Sequence, residues 1–291
     1  MNIIFQIDGG LGKCIMSTAI CKIIKENNPD SELIVVSGYP DVYLNNPSVD
    51  KAFAFGEEKY FYERYIEDKE CIIYAHNPYL EVAHAQHREH LLETWAKMFG
   101  YTWNGELPEL YLTSREQEFF SNRFTSDKPL LTLQTNGGAE NQELKYSWAR
   151  DLPHHVAQEI VDKYKNEYNV VHIRRDDQPE LKDTIHVSDS FRAICVLLMM
   201  SKKRLLIDSF AQHASAALGL PSVVCWIANK PSVFGYDLHS NIQSNPFTKK
   251  PELKNAYIGK FNIIGDPLEF PYNNEAEIFD VQNILIELDS I

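Results

Sequence analysis

The sequence predicts an α/β protein built of two parallel-sheet halves. Three observations carry that expectation. Short β-rich runs alternate with amphipathic stretches, the pattern of right-handed βαβ units. Two cycles of this alternation each open on an apolar strand that runs into a glycine-containing turn, at Asp8-Gly9-Gly10 and at Thr135-Asn136-Gly137-Gly138. A chain of 291 residues is also long enough for two domains with sizeable cores.

In the first half, Asn2 to Ile7 is an apolar, β-branched run that reads as a buried strand. Residues 13–27 place apolar side chains at 15, 16, 19, 20, 23 and 24, which is helical spacing. Glu32 to Ser37 is the next strand, residues 41–44 and 49–55 continue the pattern, and Glu70 to Tyr74 is a further strand. His84 to Phe99 reads as one helix stopped by Gly100, and Ser114 to Phe124 as another with Ser114 as N-cap. Residues 125–129 read as a linker.

The second cycle begins with a strand from Leu130 to Gln134. A helix over 154–168, a strand over 169–173, a helix over 190–200 and a strand over 204–207 follow. Then come a helix from Ala211 to Leu218, a strand from Ser222 to Ile227 and a closing helix over 273–288. The expected domains are 1–126 and 127–270. Residues 271–291 form a C-terminal helix for which packing back on the N-terminal domain is one available arrangement.

Forty-one acidic against twenty-eight basic residues give a net charge of -13, which argues against a general nucleic-acid or anionic-membrane binder. The five cysteines form no C-x-x-C pair, so neither a zinc cage nor a disulfide framework is indicated, and a reduced, cytoplasmic setting is the simple reading. No signal peptide and no transmembrane segment is visible, which leaves contact with the inner membrane face open.

Asp8, Gly10, Gly12 and Lys13 converge between the first strand and its helix, where backbone N–H groups can approach an anion. A plain tight turn is the alternative. The P-loop template fails at Ile7 and Cys14, and the dinucleotide template fails at Ile15. Leu205 to Pro221 carries the strongest signal: a strand ends in Asp208-Ser209 and a small-residue helix containing His213 starts at once. Arg174 and Arg175 follow a strand end and could grip a phosphate, although a solvated charged loop fits equally well. His84, His87 and His90 are spaced by three, short of the i,i+4 spacing that metal ligation favours, so an exposed face or an acceptor-binding wall fits better. Tyr60, Phe61, Tyr62 and Tyr65 suit either sugar stacking or core packing, whereas Trp148 and Trp226 read as packing residues.

The segment from Leu205 to Pro221 resembles the strand–D-S/T-G-x-x-H–small-residue-helix–G-x-P signature of glycosyltransferase family 9, the ADP-heptose:lipopolysaccharide heptosyltransferases. Asn46-Pro47-Ser48-Val49-Asp50, the His84 to Gly100 stretch leading to Pro108-Glu109-Leu110, and Lys145-Tyr146-Ser147-Trp148 resemble its other short motifs, in the same order. The resemblance implies a GT-B fold, two Rossmann-like domains facing across a cleft. It implies a metal-independent, inverting transferase with no cofactor beyond its co-substrate, a nucleotide-diphosphate sugar. The donor would sit mainly on the C-terminal domain. A saccharide or other hydroxyl acceptor would sit on the N-terminal one, with His84 and His87 on the acceptor side.

By the same resemblance Asp208, Ser209, His213 and Lys145 fall on donor-contacting positions, and Thr135 and Asn136 on the phosphate turn. Two departures stand out. Lys13 occupies the position of the family's catalytic aspartate, and Phe210 replaces its glycine. Asp8, at the end of the same strand, is the candidate to replace that base. Two alternatives stay open. One is a non-catalytic nucleotide-sugar-binding module. The other is a phage-type enzyme that glycosylates DNA bases, with Arg174, Arg175, Lys202, Lys203, Arg204, Lys249 and Lys250 forming a local basic groove.

Overall fold

The protein is described here by a computed structural model covering residues 1–138, 149–248 and 272–291. Two compact units divide it, Met1–Gln117 and Glu118–Ile291. The division falls within a helix, nine residues before the expected boundary after residue 126.

The first unit contains β1 (Asn2–Ile7), α1 (Leu11–Asn27), β2 (Glu32–Ser37), β3 (Lys51–Phe53), α2 (Phe61–Tyr65), β4 (Cys71–Tyr74), α3 (Val82–Ala85) and α4 (Leu91–Met98). Its four strands run parallel in the order β3-β2-β1-β4. β1 lies between β2 and β4 and buries all but Asn2 and Gln6, as a strand covered on both faces should. α1 is buried without interruption from Lys13 to Cys21, so over that stretch the buried surface is wider than one face. Residues 41–44, which continue the pattern in the sequence, are instead mostly part of a 3-10 turn over Pro40–Tyr43 that Pro40 opens.

The expected single helix over 84–99 is broken. α3 ends at Ala85, His87 takes a left-handed φ of 52°, and α4 starts only at Leu91. The His90 imidazole caps α4, accepting from the Leu92 N–H at 3.2 Å, and its ring stacks on Trp103. His84, His87 and His90 therefore share no continuous helix face. Phe53, Phe61 and Tyr65 pack on one another, while Tyr60 and Tyr62 stay exposed.

α5 (Ser114–Ser121) bridges the division. The second unit continues with β5 (Leu130–Leu133), α6 (His154–Tyr164), β6 (Asn169–Ile173), β7 (Ile185–Val187), α7 (Phe191–Met200), β8 (Ser201–Ile207), α8 (Phe210–Ala217), β9 (Val223–Trp226), α9 (Pro231–Phe234), β10 (Ser240–Gln243) and α10 (Val281–Ser290). Six parallel strands lie in the order β10-β9-β8-β5-β6-β7. Trp226 is fully buried, as expected of a packing residue.

β8 starts three residues earlier than its hydrophobicity suggests. Lys203 and Arg204 are strand residues with buried side chains. Arg204 donates to the carbonyls of Leu198 at 2.9 Å and of Ser201, acceptors left open at the end of α7, and to that of Pro221 at 3.0 Å, before β9. Lys203 donates to the Leu288 carbonyl. Neither side chain can line a basic groove, which removes two members of the DNA-contacting set. Lys249 and Lys250 lie outside the described residues.

α10 belongs to the second unit. Ile284 and Leu288 join the core formed by α6 and by β5, β8 and β9, which buries the apolar face of α10. Among the described residues no helix is long and apolar enough to cross a membrane.

Candidate functional site

In parallel α/β sheets, ligand chemistry gathers at the carboxyl ends of the strands. Each unit places its chemistry-bearing residues there.

In the first unit, β1 ends at Ile7 and the chain turns through Asp8, Gly9 and Gly10 into α1. Gly9 has φ of 102°, a region that strains any side chain. Gly10 is the N-cap of α1 and offers no side-chain cap, so the first amides of the helix are left without that partner. Gly12 lies in the first turn of the helix. Lys13 folds back along the turn and donates to Asp8 Oδ1 at 2.6 Å and to Asn77 Oδ1 at 3.0 Å. Its ammonium also lies 5.3 Å from the Tyr79 ring centroid and 5.7 Å from that of Trp95. The Lys13 side chain is 4% exposed and that of Asp8 66%. The result is a buried cation that presents an open carboxylate.

The Tyr79 ring leans on His84 at 4.9 Å between centroids, and His87 follows at 6.2 Å from His84. Burial, aided by the neighbouring His87, lowers the His84 pKa to about 4, so this ring is neutral near pH 7. Asp8, Lys13, Asn77, Tyr79 and His84 thus form one connected group. The sequence reading missed Asn77 and Tyr79, which lie after β4 and carry no motif.

In the second unit, the turn after β5 is held by a directional set of hydrogen bonds. Thr135 Oγ1 donates to Asn136 Oδ1 at 2.8 Å, so it accepts from His172 Nε2 at 2.7 Å. Burial is the main cause that lowers the His172 pKa to about 4, which leaves the ring neutral near pH 7. Asn136 Nδ2 donates to Asp151 Oδ2, and the Gly137 N–H donates to Asp151 Oδ1, both at 2.9 Å. The side chains of Thr135 and Asn136 are therefore committed to the protein. Burial raises the Asp151 pKa, against the pull of these two donors and of nearby arginines.

Beside this turn, β8 ends at Asp208 and Ser209. Gln134 Nε2 donates to Ser209 Oγ at 3.2 Å, which ties the two strand ends together. A Cβ at Gly137 would sit 3.3 Å from Ser209 Oγ and 2.7 Å from Arg150 Cδ, so the missing side chain is what allows this approach. Asp208 is buried, accepts from Asn229 Nδ2 at 2.5 Å and has its pKa raised by burial, partly offset by Arg150. Arg174 donates to the carbonyls of Arg175 and Gln178. Arg175 reaches the Gly138 carbonyl at 2.7 Å and pairs with Asp177. His213 lies deeper, its Nδ1 2.8 Å from the Tyr236 hydroxyl.

The structure thus brings Thr135, Asn136, Asp208 and Ser209 to one sheet edge. Arg175, singled out in the sequence with Arg174, lies beside them, and the structure adds Gln134, Arg150, Asp151, His172 and Asn229, which sequence reasoning missed. Asp151 and His172 had no visible signal, since His172 meets Thr135 only when β5 and β6 pair, and Asp151 meets Asn136 only when the segment before α6 runs beside the turn after β5. Lys145, and Trp148 with it, lies outside the described residues. Among the described residues no group of three or more His, Cys, Asp or Glu side chains is placed to hold a metal ion.

No protein-family model and no curated protein matches this sequence. Solved structures do. E. coli ADP-heptose lipopolysaccharide heptosyltransferase II matches with a TM-score of 0.69 at 14% identity, covering 100% of this chain and 98% of that one. A family 9 glycosyltransferase from Veillonella parvula matches at 0.65 and 13% identity, covering 99% of this chain and 96% of that one. E. coli heptosyltransferase WaaC with ADP-2-deoxy-2-fluoro heptose matches at 0.55 and 12% identity, over 84% of this chain and 94% of that one. The chain has the GT-B fold shared by these heptosyltransferases, as the sequence resemblance implies.

Proposed function

We propose that this chain is a glycosyltransferase that moves a sugar from a nucleotide-diphosphate sugar to a hydroxyl acceptor of saccharide type. The observation that carries the proposal is the junction of two turns in the second unit, where Gly137 lies against Ser209. A backbone packed this closely, beside the start of α8, suits the diphosphate of a donor. The fold supports the same reading, because the heptosyltransferase WaaC is seen with an ADP-sugar analogue.

In this reading the reaction inverts the anomeric centre without a metal. The leaving diphosphate is stabilised by backbone amides and cations, Lys145 among them. Asp8 takes the proton of the acceptor hydroxyl. Lys13 fixes Asp8 through Oδ1, and the acceptor lies towards His84 and His87. A thermal-shift panel of ADP-, GDP- and UDP-sugars, paired with a donor-hydrolysis assay, tests the proposal. One nucleotide series should stabilise the protein and be turned over. No shift and no hydrolysis across the panel would overturn it.

The Lys13–Asp8 pair also favours a second reading, a module that binds a nucleotide-sugar without turning it over. A base whose oxygen already accepts from a lysine at 2.6 Å is partly spent. Binding without turnover, unchanged in Asp8→Ala, selects this reading.

A further inference from the structure

Three described arginines lie close to the carboxyl edge of the second sheet, and they are not equivalent. Arg174 spends donors on two backbone carbonyls and faces Glu180 at 3.8 Å. Arg175 spends its donors on Gly138 and Asp177. Arg150 is half-buried, and among the described residues its guanidinium has no hydrogen-bond or ion-pair partner. A half-buried guanidinium that meets no acceptor among the described residues is costly unless a ligand accepts from its N–H donors.

Its position is set by a gap. Arg150 Cδ passes 2.7 Å from the point where a Cβ on Gly137 would stand, and Ser209 Oγ lies 3.3 Å from the same point. No real Cβ tolerates the first distance, so glycine at 137 is the condition for Arg150 to cross the turn. Gly137 does not need glycine for its backbone, since its φ is not in the left-handed region. The same arginine exerts its charge on both Asp151 and Asp208. It therefore stands among the residues of the two strand ends.

We propose that Arg150 is the anion-gripping side chain of this edge, and that Gly137 is the notch that lets it reach a diphosphate there. The inference rests on the donor reading above and sharpens it. A planar guanidinium matches two phosphate oxygens in a fork, which a lysine cannot do. The other two arginines hold the loop, and Arg150 holds the ligand.

The geometry provides two independent ways to remove the contact. Arg150→Gln deletes the charge. Gly137→Ala keeps the charge and pushes the side chain aside, at little cost to folding, because a flexible arginine is what must move. Affinities for inorganic pyrophosphate and for ADP, GDP and UDP are measured by calorimetry on wild type, both single variants and the double variant, with unliganded melting temperatures as a folding check. Each single variant should bind the preferred diphosphate roughly tenfold to a hundredfold more weakly. The double variant should be no weaker than Arg150→Gln, since both changes remove one contact. Arg150→Lys should recover only part of the loss. Wild-type binding that survives in Arg150→Gln overturns the role of Arg150 and leaves the donor reading intact. A loss in Arg150→Gln with none in Gly137→Ala overturns the notch. A wild type that binds no member of the panel removes the donor reading itself, and this inference with it.

Discussion

Lys13 Nζ lies 2.6 Å from Asp8 Oδ1, across the turn that joins β1 to α1, with the lysine buried and the aspartate open. The asymmetry matters. The lysine has left water, and its charge is met by one carboxylate, the Asn77 amide oxygen and the faces of Tyr79 and Trp95. The aspartate remains in water and keeps an oxygen for other work. A pair built this way positions a reactive carboxylate more than it glues a fold.

Asp8→Asn should separate those two roles. Removing the carboxylate leaves the buried ammonium without its counter-charge, so the stability cost is about 3 kcal/mol, at the low end for a broken buried pair because an amide oxygen at position 8 and the Asn77 oxygen can still accept from it. Turnover should fall by about a hundredfold or more, with donor affinity close to wild type. Urea denaturation and steady-state kinetics check this. Wild-type kcat in Asp8→Asn would eliminate Asp8 as the base.

Asp151→Ala should loosen the turn after β5. The carboxylate accepts from both Asn136 and the Gly137 amide, and truncation leaves those two donors unmet. The expected cost is about 1–3 kcal/mol. Asp151→Asn, which keeps one acceptor, should recover part of it. Donor affinity should fall in Asp151→Ala along with stability. An unchanged denaturation midpoint would show that the turn is held elsewhere.

The sequence made the strands and glycine turns of this protein legible because they are local. Asn2 to Ile7 and Asn169 to Ile173 are apolar runs bounded by turn residues, and both appear as read. Asp208 and Ser209 fall where a strand must stop, so they arrive at the sheet edge without tertiary information. The break at His87 was hidden, because the apolar spacing across it still fits a helix while the backbone reverses in a left-handed residue. Lys203 and Arg204 were misread for a related reason. Their charges suggest solvent, and only the ends of α7 and α10 reveal the carbonyls that receive them. Asp151, His172 and Arg150 act on a turn 13 to 37 residues away in sequence, a distance at which no pattern survives.

Arg204→Met should destabilise the second unit by about 2–4 kcal/mol, since it uncovers the carbonyls of Leu198, Ser201 and Pro221. Duplex DNA, by contrast, should bind no more tightly at low salt than at physiological salt, because the buried Lys203 and Arg204 cannot reach a phosphate. A fluorescence-anisotropy salt series with a labelled duplex makes the comparison. Binding that strengthens steeply as salt is lowered would revive a DNA acceptor.

Acid should weaken the fold through three histidines before it affects most carboxylates. Burial lowers the pKa of His84, His172 and His239 from 6.5 to about 4. Below about pH 6.5 the unfolded chain takes up protons at these positions and the folded chain does not, until pH reaches about 4. Stability therefore falls with pH through that window, each ring contributing up to about 3 kcal/mol across it. Asp151 and Asp208 act in the opposite sense. Their raised pKa values let the folded state take a proton first, which offsets part of the loss. His172→Gln keeps a donor for Thr135 and removes one titrating ring. Its stability should fall less than wild type between pH 7 and pH 5, by about 2 kcal/mol on the same scale. Parallel pH dependence in the two proteins would mean that His172 takes up its proton in the folded state, and burial would then not be holding this ring neutral.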